Sequence, residues 1–288
     1  MSRIGRTVRY ATAAVLLVAA ACGTDDRTKH PPSDRTSAAR PTPVPAADYT
    51  FPIQWAGDYT FRWSAAEGID LTAPNAEVVR AFAESKRLAR SVGNELAYPG
   101  YAAAVSGVDW LDIPDGGAYP PGAQQGNWQL RWHGTFLARL VRIQPEPNGF
   151  TAAYCLDTTN VADSIDGGAH YRWTRPGRRG ELQRGRLIGL TARARSSSGP
   201  IPTEAVPVST RHQVDRAPKY NVFDDWKIID VWGPTSRGPQ RSSLVAACAA
   251  WARANPQTNP VGIDSLERRI PADPPPIPET PFPGWPGP

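Results

Sequence analysis

Three cysteines and four histidines carry most of the reactive side-chain chemistry of this 288-residue chain. The thiols are Cys22, Cys155 and Cys248. They are open to alkylation or pairing, but no Cys-x-x-Cys spacing offers them a zinc ion. Among the groups able to move a proton, His133 lies in a strand-like segment, His170 precedes a Tyr-Arg-Trp strand, and Asp157 and Asp230 close two further strands. Each has the chemistry of a general base. Nothing in their spacing forces two of them together, so no acid–base pair and no catalytic residue is assigned. A nucleophile elbow, a glycine-rich phosphate loop and a His-Glu-x-x-His helix are all absent from the sequence, which removes the readily recognised hydrolases, nucleotide enzymes and zinc proteases. The run Asp163-Ser-Ile-Asp-Gly-Gly168 is similar to part of a calcium loop but lacks the downstream glutamate, so it reads as a turn. No metal or cofactor is expected.

The context of Cys22 points to a covalent modification. Arg3, Arg6 and Arg9 precede an apolar run, Ala11 to Ala21, which ends on Ala19-Ala20-Ala21-Cys22. As a helix that run spans only ~16 Å against the ~30 Å of a bilayer core, so residues 1–21 read as an export signal and not as a membrane span. Small residues followed at once by cysteine resemble the bacterial lipobox, in which the thiol takes a diacylglyceryl group before cleavage. The resemblance implies that Cys22 is acylated and anchors the mature chain to the extracytoplasmic face of the cell membrane. Simple secretion with a free N-terminal thiol is the alternative.

Removing residues 1–21 takes three arginines and no acid from the formal charge of +5, leaving +2. A nearly balanced chain has no electrostatic case for nucleic acid. With Cys22 consumed by lipid, the two remaining cysteines leave no odd thiol in a compartment where disulfides persist, so Cys155 is expected to pair with Cys248. Two buried free thiols are the alternative. The arginines around Gly177-Arg-Arg-Gly180 make a basic hairpin that suits anionic headgroups or wall polymers, or is simply a solvated loop.

The elements that must position these groups follow from composition and period. Residues 22–47, with Pro31, Pro32, Pro41, Pro43 and Pro45 among polar residues, have almost nothing to bury and read as a disordered tether. Residues 271–288 are richer still in proline and read as an extended tail. Between them, 48–270 is expected to fold as one α+β domain. Thr72-Ala-Pro-Asn-Ala-Glu77 starts a helix, and Val78, Val79, Phe82, Ala83, Ala89 and Val92 recur at helical spacing up to Gly93, which makes Phe82 a core residue. A second helical piece is expected over 96–105, and 111–127 reads as loop. The near alternation of Trp55, Tyr59, Phe61 and Trp63 predicts a strand within 49–71. Strands are predicted over 128–144 and 150–158 about an Asn148-Gly149 turn, and over 169–174, 187–196 and 222–232, the last with Trp226, Ile228, Asp230 and Trp232 on one face. A last helix is predicted over 242–254.

Within that order, Val79-Arg-Ala-Phe-Ala-Glu-Ser85, the strand Thr151-Ala-Ala-Tyr-Cys-Leu-Asp-Thr158 and the strand Trp226-Lys-Ile-Ile-Asp-Val231 resemble the nuclear-transport-factor-2-like (SnoaL-like) fold as it occurs in actinobacterial envelope lipoproteins. The resemblance covers about residues 75–232. Departures are the inserts Leu111 to Gly126 and Gly199 to Pro218 and the segment after Gly233. It implies N-terminal helices packed in a curved, cone-like antiparallel sheet, here with an added C-terminal helix. It also implies that an enzyme of this kind would place an Asp or His inside the cone. Since such folds host enzymes, carriers and assembly modules alike, the expectation is a lipid-anchored, non-enzymatic binding or assembly module with an envelope protein as partner. The alternatives are a small-pocket isomerase- or hydrolase-like enzyme and a structural subunit of a secretion or conjugation apparatus.

Overall fold

The structure is a computed structural model and describes residues 45–108, 126–174, 185–195, 214–233, 239–255 and 270–286, all of them in the unit Pro41–Pro288. Its elements, in chain order, are the one-turn helix α1 (Ile53–Ala56), β1 (Tyr59–Ala65), α2 (Pro74–Val92), the one-turn helix α3 (Tyr101–Ala104), β2 (Arg131–Glu146), β3 (Gly149–Asp157), β4 (Val161–Ser164), β5 (Arg172–Trp173), β6 (Arg186–Ala194), β7 (Val214–Asp215), β8 (Trp226–Trp232), α4 (Pro239–Ala254) and β9 (Trp285–Pro286). The mixed helix-and-sheet content is the expected α+β class. Trp55 falls in α1, while Tyr59, Phe61 and Trp63 form the predicted added strand. The helical piece expected over 96–105 shrinks to α3, because Pro99 cannot continue a helix and Gly100 takes a left-handed conformation. The segments 111–125 and 199–213, read as loops, and the Gly177–Gly180 hairpin lie outside the described residues, as do residues 1–44.

α2 is the central helix. Pro74 supplies its first turn and Gly93 its end, where the Gly93 N–H bonds to Ala89 O. Val78, Val79, Phe82, Ala83, Ala89 and Val92 are buried, as their spacing predicts, and Ala76 and Leu88 are buried with them. The opposite stripe is buried too: Arg80, Glu84, Ser85, Lys86, Arg87 and Ser91 are all nearly inaccessible. A helix covered all round is expected to be apolar all round, so these polar side chains must find partners inside the protein.

The sheet that covers α2 is antiparallel except at one edge. β2 pairs with β3 from Leu137↔Asp157 to Glu146↔Gly149, β3 with β6, and β6 with β8. β4 continues beside the start of β2, Gly134 facing Val161, and β5 joins β4. On the other edge of β2, β1 runs parallel, Tyr59 facing Gly134 and Ala65 facing Leu140. Gly134 has φ +109, and a Cβ there would fall 2.3 Å from Asn160 O and 2.9 Å from Pro276 Cγ, so only glycine fits where three chain segments touch.

One register shift corrects the reading of β8. Thr191 faces Asp230 while Ala192 faces Ile228, so Ile229 is the extra residue of a bulge. Trp226 and Ile228 enter the main core, Asp230 and Ile229 turn to solvent, Val231 returns to the core, and Trp232 lands on the far face. The four residues expected on one face are thereby divided.

The far face of the sheet carries a second, smaller core. Ala153, Cys155, Leu187, Trp232 and Cys248 are packed there with Val141, Leu244, Val245 and Trp251, which seats α4 across β3 and β6. The Cys155 and Cys248 sulfurs lie 2.00 Å apart with Cα atoms separated by 5.3 Å, a disulfide-capable pair.

The proline-rich C-terminus packs against the body of the domain. Residues 270–286 are extended, but they run along the domain as a strap. Trp173 N–H bonds to Ile270 O and Ala272 N–H to Tyr171 O beside β5. The Glu279 N–H then meets Thr135 Oγ1 at 2.8 Å, and Thr60 Oγ1 donates to Glu279 O at 2.7 Å. Phe282 exchanges main-chain bonds with β1, accepting from Trp63 N–H and donating to Phe61 O. β9 then pairs with β7, and Trp285 is 2 % exposed in the main core. The sequence hid this because proline-rich composition reads as unpaired chain, while the one side chain that docks it stands alone at the end.

Phe82, fully buried between Tyr101 and the rest of the core, is expected to cost about 3–5 kcal/mol on substitution by alanine. Urea unfolding of F82A should show it as a lower midpoint with an unchanged slope. For the cysteine pair, thiol labelling of the denatured, unreduced mature chain is expected to find neither Cys155 nor Cys248 reactive, and both after reductant. Bridging a loop of 93 residues contributes about 4–5 kcal/mol in the chain-entropy picture, so reduction should lower the melting temperature by several degrees.

Candidate functional site

The groups named from sequence do not converge. His133 sits on β2 with Nδ1 2.9 Å from Pro276 O. A proline carbonyl can only accept, so that nitrogen carries the proton. The ring packs edge-on against Tyr171 at 5.2 Å, which makes the histidine a clip for the strap. His170 is exposed and pairs with Asp166 at 2.8 Å. Hydrogen bonds from the Ser164 hydroxyl and from His170 hold the Asp166 carboxyl well below the usual carboxylate range. The same Ser164 oxygen accepts the Gly168 N–H, so 163–168 is a side-chain-closed turn. Asp157 is buried at the end of β3, where its Oδ1 accepts the Thr159 N–H and hydroxyl. Asp230 faces solvent on the β8 bulge. Cys155 and Cys248 pair as described, and Cys22 lies outside the described residues. Among the described residues no group of three metal-ligating side chains comes together.

The polar cluster that does form lies elsewhere, on the buried stripe of α2. Glu84 is 5 % exposed. Its Oε1 accepts the Trp63 indole N–H at 2.8 Å, and its Oε2 accepts the Trp285 indole N–H at 2.8 Å and meets the Tyr98 hydroxyl at 2.8 Å. One turn earlier, Arg80 donates to Leu71 O at 3.1 Å and, from Nη2, to Pro283 O at 2.8 Å and Gly284 O at 3.1 Å. Its guanidinium lies 4.3 Å from the Trp285 ring centroid, a cation–π contact strengthened by burial. Tyr98 and Tyr220 close the indole edge-on at 6.0 and 6.4 Å.

Burial sets the protonation of this cluster. Desolvation pushes the Glu84 carboxyl up, against the opposing pull of Arg80 and of the three hydrogen bonds. Desolvation likewise pushes Arg80 down. Geometry supports the neutral acid. The single Tyr98 proton faces two acceptors, Glu84 Oε2 at 2.8 Å and Arg216 O at 3.0 Å. A protonated Glu84 donates to Tyr98 and frees that hydroxyl for the carbonyl.

Beside the cluster is a cleft of about 10 Å³, bordered by Tyr59, Phe61, Glu84, Tyr98, Arg216 and Trp285. That is room for one water, not for a metabolite. The Tyr59 hydroxyl is buried there without a protein partner, and such a water would satisfy it. Phe61, Phe136, Trp63 and Tyr154 stack through the rest of the interior.

Sequence reasoning missed Glu84, Arg80 and Trp285. Arg80 and Glu84 stand four apart on α2, an ordinary spacing for a solvated pair. The available signal was the surplus of alanine around them (Ala76, Ala81, Ala83, Ala89), which lets a helix be approached from every side. No protein-family model, curated protein or solved structure matches the chain. What the protein does is therefore argued from its geometry.

The raised Glu84 pKa fixes a sign. Where the native state holds a proton that the unfolded state has lost, stability falls as pH rises. The contribution of Glu84 is greatest below its unfolded value of ~4.3 and declines as pH climbs toward its native value. E84Q cannot titrate. Urea unfolding between about pH 4 and pH 8 is expected to show the stability advantage of the wild type over E84Q shrinking with pH. A pH-independent difference would show that folding leaves the Glu84 pKa unshifted, and one that grows with pH that it is lowered.

Proposed function

We propose that this chain is an exported, lipid-anchored envelope protein whose globular domain is a non-enzymatic binding or assembly module. The single observation that carries the second half of this reading is the filled interior. Among the described residues, the carboxyl group at the interior cleft has both oxygens engaged, Oε1 by the Trp63 indole and Oε2 by the Trp285 indole and the Tyr98 hydroxyl, and the cleft admits about one water. A general base needs an unprotonated group within reach of a substrate, and Glu84 is a buried, burial-raised carboxyl closed off by Trp285 while that side chain is seated. His133, His170, Asp157 and Asp230 stand apart from one another and from the cleft. The α+β sheet with α2 against it is compatible with the cone of nuclear-transport-factor-2-like domains, a fold that hosts assembly modules as well as enzymes.

The anchor reading rests on the sequence around Cys22. No helix among the described residues is long and apolar enough to cross a membrane, so attachment through an acylated Cys22 suits the folded part. A diacylglyceryl thioether brings two acyl chains, enough for stable anchoring at about 0.8 kcal/mol per buried methylene. The partner is then an envelope protein met by the folded part, which residues 22–47 tether to the bilayer.

Two measurements check this reading. C22A is expected to leave the membrane fraction, or to remain unprocessed at the higher mass. Membrane retention at the mature mass would rule out the lipid anchor. The detergent-extracted wild type is expected to carry an envelope protein in fixed stoichiometry through washing, and a chain that always emerges alone would remove the case for a partner.

A further inference from the structure

We propose that the strap groove is an assembly interface, in which a second copy of this chain lays its own residues 276–286 along β1 and seats its Trp285 on Glu84, so that two molecules exchange straps. This rests on the assembly reading above and names the partner.

The groove has the parts of a peptide-recognition site that works by strand addition. Main-chain pairing runs along β1 at Phe61, Trp63 and Phe282. Side chains of the body read the strap's backbone directly, Thr60 at Glu279 O, Arg62 at Thr280 O, His133 at Pro276 O, and Arg80 at Pro283 O and Gly284 O. One deep pocket then takes a single anchor side chain. There the Trp285 indole gives its N–H to Glu84, its face to Arg80 and its edges to Tyr98 and Tyr220. Besides that anchor, side chains of the strap meet the body where Arg62 reaches the Glu279 carboxylate and the Phe282 ring and where Pro276 lies against Gly134, and among the described residues the remaining polar contacts along it are to main chain. The groove therefore selects an extended strand ending in tryptophan and is indifferent to which molecule supplies it.

The strap is the part of the fold best suited to change hosts. α4 is tied to β3 through the Cys155–Cys248 pair, whereas residues 270–286 are joined to α4 only through 256–269. At ~3.4 Å per residue those fourteen residues span at most about 48 Å, enough to reach a neighbour on the same membrane. Proline at 271, 274, 275, 276, 278, 281, 283 and 286 keeps the segment extended when it is off the body, so rebinding loses little conformational entropy.

What selects exchange over simple opening is the groove itself. With no occupant, Glu84 loses one of its three partners and Arg80 loses two carbonyls inside the core, and buried polar groups left without partners are strongly disfavoured. A second copy restores each of those contacts with identical chemistry, which is why swapping an element between identical protomers is a low-cost route to a dimer.

The test uses the full chain in detergent. Ordinary and isotopically heavy wild type are mixed at high concentration and followed by native mass spectrometry. Mixed-mass dimers are expected to grow with incubation and to be absent when both partners are W285A. In parallel, a labelled peptide of residues 270–288 is titrated into full-length W285A, whose groove is intact but unfilled at the anchor. Saturable binding is expected, at least about tenfold tighter than to wild type and about tenfold tighter than that of the same peptide carrying alanine at 285. Wild type that stays monomeric, or dimers that persist in W285A, would overturn the exchange. So would folded W285A that binds both peptides alike. If W285A fails to fold, W285F, which keeps an aromatic ring but no N–H, replaces it, and the isotope mixing of wild type decides by itself. Failure of exchange leaves the co-purification of an envelope protein to judge the assembly reading separately.

Discussion

The Glu84 carboxyl group, buried in the middle of α2, is the constraint around which the other elements are arranged. Taking a carboxyl group out of water is unfavourable by several kcal/mol unless it is fully hydrogen-bonded. Its partners are Trp63 from β1, Tyr98 from the turn after α2, and Trp285 from the last strand, 21, 14 and 201 residues away in sequence. Three distant pieces of chain must therefore meet at one helix. Arg80 adds a second demand of the same kind, because its donors need the carbonyls of Leu71, Pro283 and Gly284. A purely apolar stripe on α2 would accept many packings of comparable energy. A carboxyl group and a guanidinium accept very few, and they fix which strand and which tail residue lie against the helix.

The same strap solves a problem at the sheet's edge. β1 pairs in parallel with β2 and would otherwise present a bare row of N–H and C=O groups, the arrangement that invites uncontrolled association. Phe282 pairs with that edge through its main chain and the Thr60 and Arg62 side chains bond Glu279 O and Thr280 O, while Pro278, Pro281 and Pro283 have no N–H to offer on the other side. The sheet ends in a strand that cannot readily be extended. The opposite edge, β8, is interrupted by its bulge at Ile229 and tethered by the Lys227 side chain to Ala103 O and Ser106. Both edges are closed by local chemistry without the sheet closing on itself.

Much of the fold was legible because hydrophobic period is a local property. Phe82, Val79 and Val92 read correctly as a buried helical face and the strands about 131–157 as a hairpin, since neighbours in sequence set each pattern, while the Cys155–Cys248 pair, 93 residues apart, was legible from the cysteine count alone. The strand over 226–232 was legible as a strand but not in its facing, because the bulge depends on the register β6 imposes and not on β8 itself. The Glu84 cluster was illegible for a different reason. Polar residues at helical spacing default to the solvent side, and only knowing that a tail 200 residues away covers that side reverses the inference. Trp285 was hidden by company. Among prolines and glycines, one indole contributes little to any windowed pattern, yet it is the anchor that converts an extended tail into part of the core.

The placement of that anchor 201 residues after Glu84 has a physical consequence. Any chain ending before residue 285 leaves Glu84 Oε2 without the indole, and any ending before 283 also strips Arg80 of two carbonyl acceptors. The contacts the strap replaces cannot be rebuilt from the neighbouring aromatic side chains, because Trp63, Tyr98 and Tyr220 are already committed to Glu84, Arg216 O and Glu77. Native packing of α2 thus requires the chain through Trp285, although most of the apolar core, from Val79 to Val231, lies outside the strap. The apolar residues supply the greater part of the driving force for collapse. The buried polar pair on α2 supplies the requirement that collapse finish in one arrangement, with the last residues of the chain inside it.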